Sequence, residues 1–164
     1  MKGDVKILEI LNDLLAGELS ASDQYLLHAE VYADAGLHHL AAKANHESEH
    51  ERMHARALMQ RILFLEGRPD MSRREPIVDG ASIVDMLEAD LRLEYKVVGE
   101  LKKAIAVCEA SQDFVTREVL ASQLDETEMD HAYWLERQLR LIKLTGLENY
   151  LQSQMQPGDK GASL

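Results

Sequence analysis

The chain has 164 residues, with 29 acidic against 18 basic side chains and a formal charge of −11. That length suits one compact core and is too short for two comfortable ones. The acidic balance argues against a nucleic-acid backbone or an anionic membrane as partner and makes cations the natural guests. A single cysteine, Cys108, leaves no intramolecular disulfide, the first residues lack the pattern of an export signal, and no apolar run nears the roughly 20 residues of a membrane span. A soluble, cytoplasmic protein is expected.

Prolines stand only at 69, 76 and 157, so the stretches Asp4 to Glu66 and Ser82 to Thr145 contain no strong helix breaker apart from glycine. Asp4 is placed to cap a first helix and Gly36 to end it; a second helix is predicted from about His38 to Glu66, stopping at "GRP". Ser82, with Asp85 three residues later, starts a third helix to about Ala110, and "SQD" at 111–113 turns into a fourth that ends near Gly146. Four helices of about 30 residues would each run roughly 45 Å. A short fifth piece, "LENYLQSQ", follows, and "PGDKGASL" reads as frayed. Short turns make helices one and two, and three and four, antiparallel neighbours, whereas residues 67–81 are long enough to cross the bundle. The predicted fold is all-α: a four-helix bundle with one long crossover.

Carboxylates interrupt the apolar stripes. In helix one the stripe Ile7, Leu11, Leu14, Ala21, Tyr25 has Glu18 at its missing position, and in helix three Glu94 fills the gap in Leu87, Leu91, Val98, Leu101, Ile105, Cys108. Helix two carries Glu51 and His54 on the face that continues to Leu58 and Leu65. Helix four carries Glu128 and His131 between Leu124 and Leu135. Each of these is a Glu-x-x-His pair, whose members an α-helix sets side by side. The separation recurs, 33 residues from Glu18 to Glu51 and 34 from Glu94 to Glu128, so two helical hairpins offer equivalent sets. A single such glutamate usually marks the edge of a stripe, and a single pair is usually solvated; six residues in core phase point to metal. Four buried carboxylates need a positive guest, and carboxylate with imidazole suits two iron or manganese ions, held close enough for two-metal chemistry.

The opening "MKGD", "ILNDLLAGELSASDQY", the central "HES" and "RILFLEGRP", "DLRLE" and the terminal "HAYWLERQL" and "GLENYLQSQ" resemble the bacterioferritins and bacterial ferritins over nearly the whole chain. The resemblance implies a ferritin-like di-iron domain over 1–155 with a short fifth C-terminal helix, a flexible tail over 156–164, and a hollow shell of twenty-four subunits storing ferric mineral. It makes Glu18, Glu51, His54, Glu94, Glu128 and His131 the ligands of a ferroxidase centre taking two iron ions per subunit, with Glu51 and Glu128 bridging. It sets the phenol of Tyr25 near the metals as hydrogen-bond or electron donor, the other reading being a core aromatic. His46, Glu47 and His50 fall in the family's region for accessory iron on the inner surface, although His50 stands where aspartate is common; solvated side chains are the competing reading for the histidines. Trp134 reads as packing and Cys108 as a small core residue.

One position departs from the pattern. Many bacterioferritins bind haem between two subunits through a methionine directly after the bridging glutamate; here that position is Arg52. Met53 is one residue on, about 100° round the helix, and Ser22, Asp23, Asn45 and Glu49 make the pocket polar. Haem b is therefore not expected in the usual bis-methionine form, and Arg52 is expected to pair with Asp23 or Glu49 across a subunit contact. The resulting reading is a ferroxidase that oxidises ferrous iron with O2 or H2O2, as a homo-oligomer or in a mixed shell with a haem-bearing bacterioferritin subunit, served by a ferredoxin-type donor for iron release. The rival readings are a shell subunit that mainly nucleates mineral, and a di-iron peroxidase or oxygenase.

Overall fold

The computed structural model describes residues 2–155, which fold into helices and loops with no strand among them. Three long helices, α1 (Val5–Asp34), α2 (His38–Phe64) and α3 (Ile83–Ala110), stand where the periodicity sets them. The fourth is not one α-helix. It divides into α4 (Phe114–Glu126), a π-helical turn (Thr127–Ala132) and α5 (Tyr133–Thr145), and α6 (Leu147–Gln154) follows. The frayed tail expected at 156–164 lies outside the described residues.

The caps follow from side-chain chemistry. Asp4 accepts a hydrogen bond from the Lys6 amide at 2.7 Å, and Ser82 accepts one from the Asp85 amide at 3.2 Å while donating to the Asp85 carboxylate at 2.8 Å. Asp113 caps α4 through the Thr116 amide at 3.0 Å. Each satisfies amide donors that the first helical turn leaves free. Gly36, at φ 75°, and Gly146, at φ 80°, make the sharp turns into α2 and α6, in a backbone region that a Cβ disfavours.

Hydrogen bonds fix the topology. Gly3 N donates to Leu65 O at 2.9 Å and Ser22 Oγ to Ser48 O at 2.8 Å, so α1 and α2 run antiparallel. The crossover lies along α1: Asn12 accepts from the Asp70 amide at 2.8 Å, Ser20 from Glu75 at 2.6 Å and Gln24 from Val78 at 2.9 Å. It thus traverses the bundle and starts α3 antiparallel to α1, the one-crossover arrangement. The end of the crossover is pinned by His28, fully buried, whose ring nitrogens face the Asp90 carboxylate and the Val78 carbonyl, each at 2.9 Å. Gln24 donates to the same Asp90 at 2.8 Å.

Two apolar clusters form the core. One gathers Leu11, Leu15, Leu58, Ile62, Leu101 and Leu120; the other gathers Tyr25, Tyr32, Leu40, Leu87, Leu135 and Tyr150, the last supplied by α6. Each fully buried leucine contributes about 1.5–3 kcal/mol by leaving water. Between the clusters runs a layer of buried acids and histidines. Among the described residues no helix is long and apolar enough to cross a membrane.

Candidate metal centre

The layer is built by four elements. Glu18 of α1, Glu51 and His54 of α2, Glu94 of α3 and His131 of the π turn are each at most 5 % exposed. Glu51 stands at the middle: its Oε2 lies 2.9 Å from His54 Nδ1 and its Oε1 lies 3.0 Å from His131 Nδ1. Glu18 Oε2 lies 3.7 Å from His54 Nδ1, and Glu94 Oε1 lies 3.6 Å from His131 Nδ1. Four three-residue sets among the described residues have ligand atoms within 4.8 Å of one another: Glu18 with Glu51 and His54, Glu51 with Glu94 and His131, Glu47 with His50 and His131, and His50 with His54 and Glu126. Glu51 belongs to the first two, which are built wholly from the expected ferroxidase ligands.

Tyr25 is buried, and its hydroxyl donates a hydrogen bond to Glu94. Glu128 is placed differently from the other five ligand candidates. It lies 42 % exposed, facing Lys102 of α3 at 2.5 Å. The π turn explains this. Buried residues on the fourth helix follow at intervals of four through the turn, Gln123, Thr127, His131, Leu135, because i→i+5 bonding winds more residues into each turn than α geometry does. Thr127 therefore occupies the inward position next to His131, its hydroxyl donating to Gln123 O at 2.8 Å, and Glu128 rotates outward. The sequence contains no marker that separates the two windings, since Thr127 and Glu128 suit either.

Of the three residues expected at an accessory site, His46 is exposed and stacks on His50 with ring centroids 5.9 Å apart, whereas Glu47 is buried, its Oε2 2.8 Å from His131 Nε2 and its other oxygen paired with Lys43. His50 Nδ1 also lies 2.8 Å from His131 Nε2. Glu126, which the sequence did not single out, sits 2.9 Å from His54 Nε2 and 3.2 Å from His50 Nε2. Its signal is faint, the middle one of three acids in "DETE". An open groove lined by His50, Met53, His54, Gln123 and Glu126 leads to this side of the layer between α2 and α4.

The electrostatics are those of a site made for cations. Burial, then the neighbouring Glu51 carboxylate, push Glu18 well above the usual carboxylate range, and burial raises Glu94 to about 7. Burial acts the same way on Glu51, but the His131 and His54 imidazoles beside it overcome it and hold that carboxylate ionised. Burial opposes charge on His54, yet Glu18 and Glu51 push it up to about 11, and Glu47 and Glu51 raise His131 in the same way. Protons on two imidazoles thus balance the buried acids. Glu18 Oε2 and His131 Nδ1 are nonetheless buried without a well-formed hydrogen bond, a costly state that a metal ion bonded to both sets would relieve. The donor set, hard carboxylate oxygen with imidazole nitrogen, fits iron.

Residues 8–145 match the family model described as a ferritin-like domain. The chain belongs to the ferritin family. It is 53 % identical over 155 residues to a bacterial ferritin of Pseudomonas aeruginosa, covering 94 % of this chain and 100 % of that one. It is 51 % identical over 155 residues to a bacterial ferritin of Synechocystis sp., covering 94 % and 99 %. A bacterioferritin of Brucella melitensis is 38 % identical over 160 residues, covering 98 % and 99 %. Membership of the ferritin family supports iron storage as the role of this chain, and the helical bundle with its crossover and short last helix is the ferritin-like fold.

At the position where haem-binding relatives were expected to carry methionine, Arg52 turns toward α1 and its Nε donates to Ser22 Oγ at 3.3 Å. Within the chain Asp23 is bonded by Arg74 Nε at 3.0 Å, while the pairing expected of Arg52, with Asp23 or Glu49, is one across a subunit contact. Met53, 64 % exposed, lies in the groove with His50 and His54, round the helix from Arg52.

Proposed function

We propose that the chain is a ferroxidase subunit of an iron-storage shell, oxidising ferrous iron within the bundle and passing ferric ion to an enclosed acidic cavity. One observation carries this reading: Glu51 is shared by two buried ligand sets, each combining carboxylates with a histidine. A carboxylate shared between two sites is what holds two metal ions a few ångströms apart.

Glu18 and His54 would hold one ferrous ion and Glu94 and His131 the other, with Glu51 between them. Glu128 completes the set as the second bridging carboxylate. Its ion pair with Lys102 is half in solvent, and such pairs hold by at most about 1 kcal/mol, so coordination can draw it inward. Bound iron supplies the electrons: two ferrous ions each give one, and O2 with two protons leaves as H2O2, or H2O2 with two protons leaves as two waters. The protein supplies position and charge. Its histidines release their protons as iron enters, and Tyr25 orients Glu94 through its hydroxyl.

The twenty-four-subunit shell is supported by family membership and by exposed apolar side chains, among them Phe64, Phe114, Val115, Leu144 and Leu147, which an assembly would cover. Residues 1–155 form the working domain, and the chain acts in the cytoplasm. This subunit does not bind haem b by the usual bis-methionine ligation, because Arg52 stands at the axial position and Met53 lies round the helix from it. That same departure favours a second arrangement, a mixed shell with a haem-bearing bacterioferritin subunit that receives electrons from a ferredoxin-type donor for iron release. Rapid mixing of the purified chain alone with ferrous iron and O2 or H2O2 tests the proposal. Oxidation much faster than in buffer supports it; buffer-like oxidation that requires a partner subunit moves the chain to a structural role.

A further inference from the structure

Two carboxylates in this layer are not among the six expected ligands, and each stands behind a different ligand histidine. Glu47 Oε2 lies 2.8 Å from His131 Nε2, and Glu126 Oε2 lies 2.9 Å from His54 Nε2. In both histidines the other nitrogen, Nδ1, points to Glu51, at 3.0 Å from His131 and 2.9 Å from His54. The arrangement is exchanged between hairpins: Glu47, on α2, backs the histidine of the π turn, and Glu126, ending α4, backs the histidine of α2.

We propose that Glu47 and Glu126 are positioning residues that fix the two ligand histidines by accepting a hydrogen bond from Nε2, so that Nδ1 is the atom each offers to metal. The inference rests on the two-ion reading above. A carboxylate on the outer nitrogen selects one tautomer, locks the ring plane and makes the inner nitrogen a stronger donor.

The surrounding bonds are consistent with those roles. His50 lies between the two pairs, its Nδ1 2.8 Å from His131 Nε2 and its Nε2 3.2 Å from Glu126. A neutral His50 protonated on Nε2 donates to Glu126, and the single Nε2–H of His131 is shared between His50 Nδ1 and Glu47 Oε2. Glu47 is 2 % exposed with neither oxygen in a well-formed hydrogen bond, and a carboxylate so buried requires partners; its ion-pair neighbours are His131 and Lys43, the latter also reaching Asp130 at 3.3 Å. Lys43 thereby ties Glu47 to the residue next to His131. The family resemblance implied a place for Glu47 among accessory ligands on the inner surface; the geometry points to a role behind His131.

Anaerobic titration of the assembled, metal-free protein with Co2+, read by its visible absorption and by calorimetry, tests this. Wild type is expected to bind two ions per subunit. Glu47→Ala is expected to weaken one ion by roughly ten- to a hundredfold and leave the other unchanged, and Glu126→Ala to weaken the complementary one by a similar factor. Glu47→Gln, whose amide oxygen still accepts from Nε2, is expected to recover most of the affinity, which a purely structural role would not distinguish. Glu126 is 41 % exposed, so its truncation leaves the fold intact and decides the matter even where Glu47→Ala does not fold. Wild-type affinity for both ions in Glu126→Ala and in the Glu47 variants overturns the positioning role. So does a third ion that these variants lose while the first two keep their affinity, since Glu47 and Glu126 are then ligands of a separate cation. Wild type binding fewer than two ions overturns the two-ion reading itself, a result distinct from either.

Discussion

His54 and His131 face each other from different helices, their rings within 20° of parallel and 5.9 Å apart at the centroids, and each turns Nδ1 to one oxygen of Glu51. A single carboxylate therefore organises both halves of the layer. Replacing it with alanine removes the shared ligand and leaves two imidazoles that it keeps protonated. In Glu51→Ala we expect ferrous oxidation to fall by at least about a hundredfold, more than loss of an outer-shell partner causes, with histidine pKa values moving down toward their ordinary range. Stopped-flow absorbance measures the first; unchanged oxidation would remove Glu51 from the site.

Lys102 and Glu128 provide a second test. Their pair is more than two-fifths exposed on both sides, so Lys102→Ala is expected to change the unfolding free energy by no more than about 1 kcal/mol. If Glu128 is drawn from Lys102 to metal, the same substitution tightens ferrous binding slightly, whereas Glu128→Ala weakens it. Chemical denaturation and anaerobic titration give the two numbers. Equal binding in wild type and Glu128→Ala would show that Glu128 stays outside.

The His28 and Asp90 pair sets a pH dependence away from the metal layer. Burial opposes the charge on His28, but the Asp90 carboxylate and the Val78 carbonyl raise its pKa above the ordinary value. Its contribution is whole below about pH 6.5, where the unfolded chain also carries the proton, and is lost as pH rises through the raised folded value. Asp90→Asn is therefore expected to destabilise the metal-free protein by about 3 kcal/mol under acidic conditions, with the gap to wild type narrowing at alkaline pH. Thermal melts across pH measure it. A gap that widens with pH would contradict the assignment.

Arg52 predicts a protein without haem. The purified chain is expected to show no Soret band, and Arg52→Met, by restoring a thioether at the axial position, to gain one when haem is supplied. Strong haem binding by the unaltered chain would contradict this.

Much of the fold is legible because an apolar stripe has only one helical reading, and the glutamates are legible because a charge at a core position is conspicuous. Glu18 and Glu94 stood out for that reason, as did Glu51 with His54. What was hidden depends on winding and on distant neighbours. The pair Glu128 and His131 is adjacent on an α-helix, and only the π turn between Thr127 and Ala132 separates them; the residues there fit both geometries. Glu126 acquires meaning only when α4 is packed against His54, and Lys102 only when α3 meets the turn. His28 and Asp90 look like ordinary surface-capable residues until the crossover closes over them.

The central claim is that two ferrous ions share Glu51. Anaerobic titration of the metal-free, purified chain with ferrous iron, followed by mixing with O2, tests it most directly. The account predicts saturation near two ions per subunit and rapid oxidation, both reduced in Glu51→Ala. Saturation at one ion or fewer, with oxidation no faster than in buffer, would contradict it.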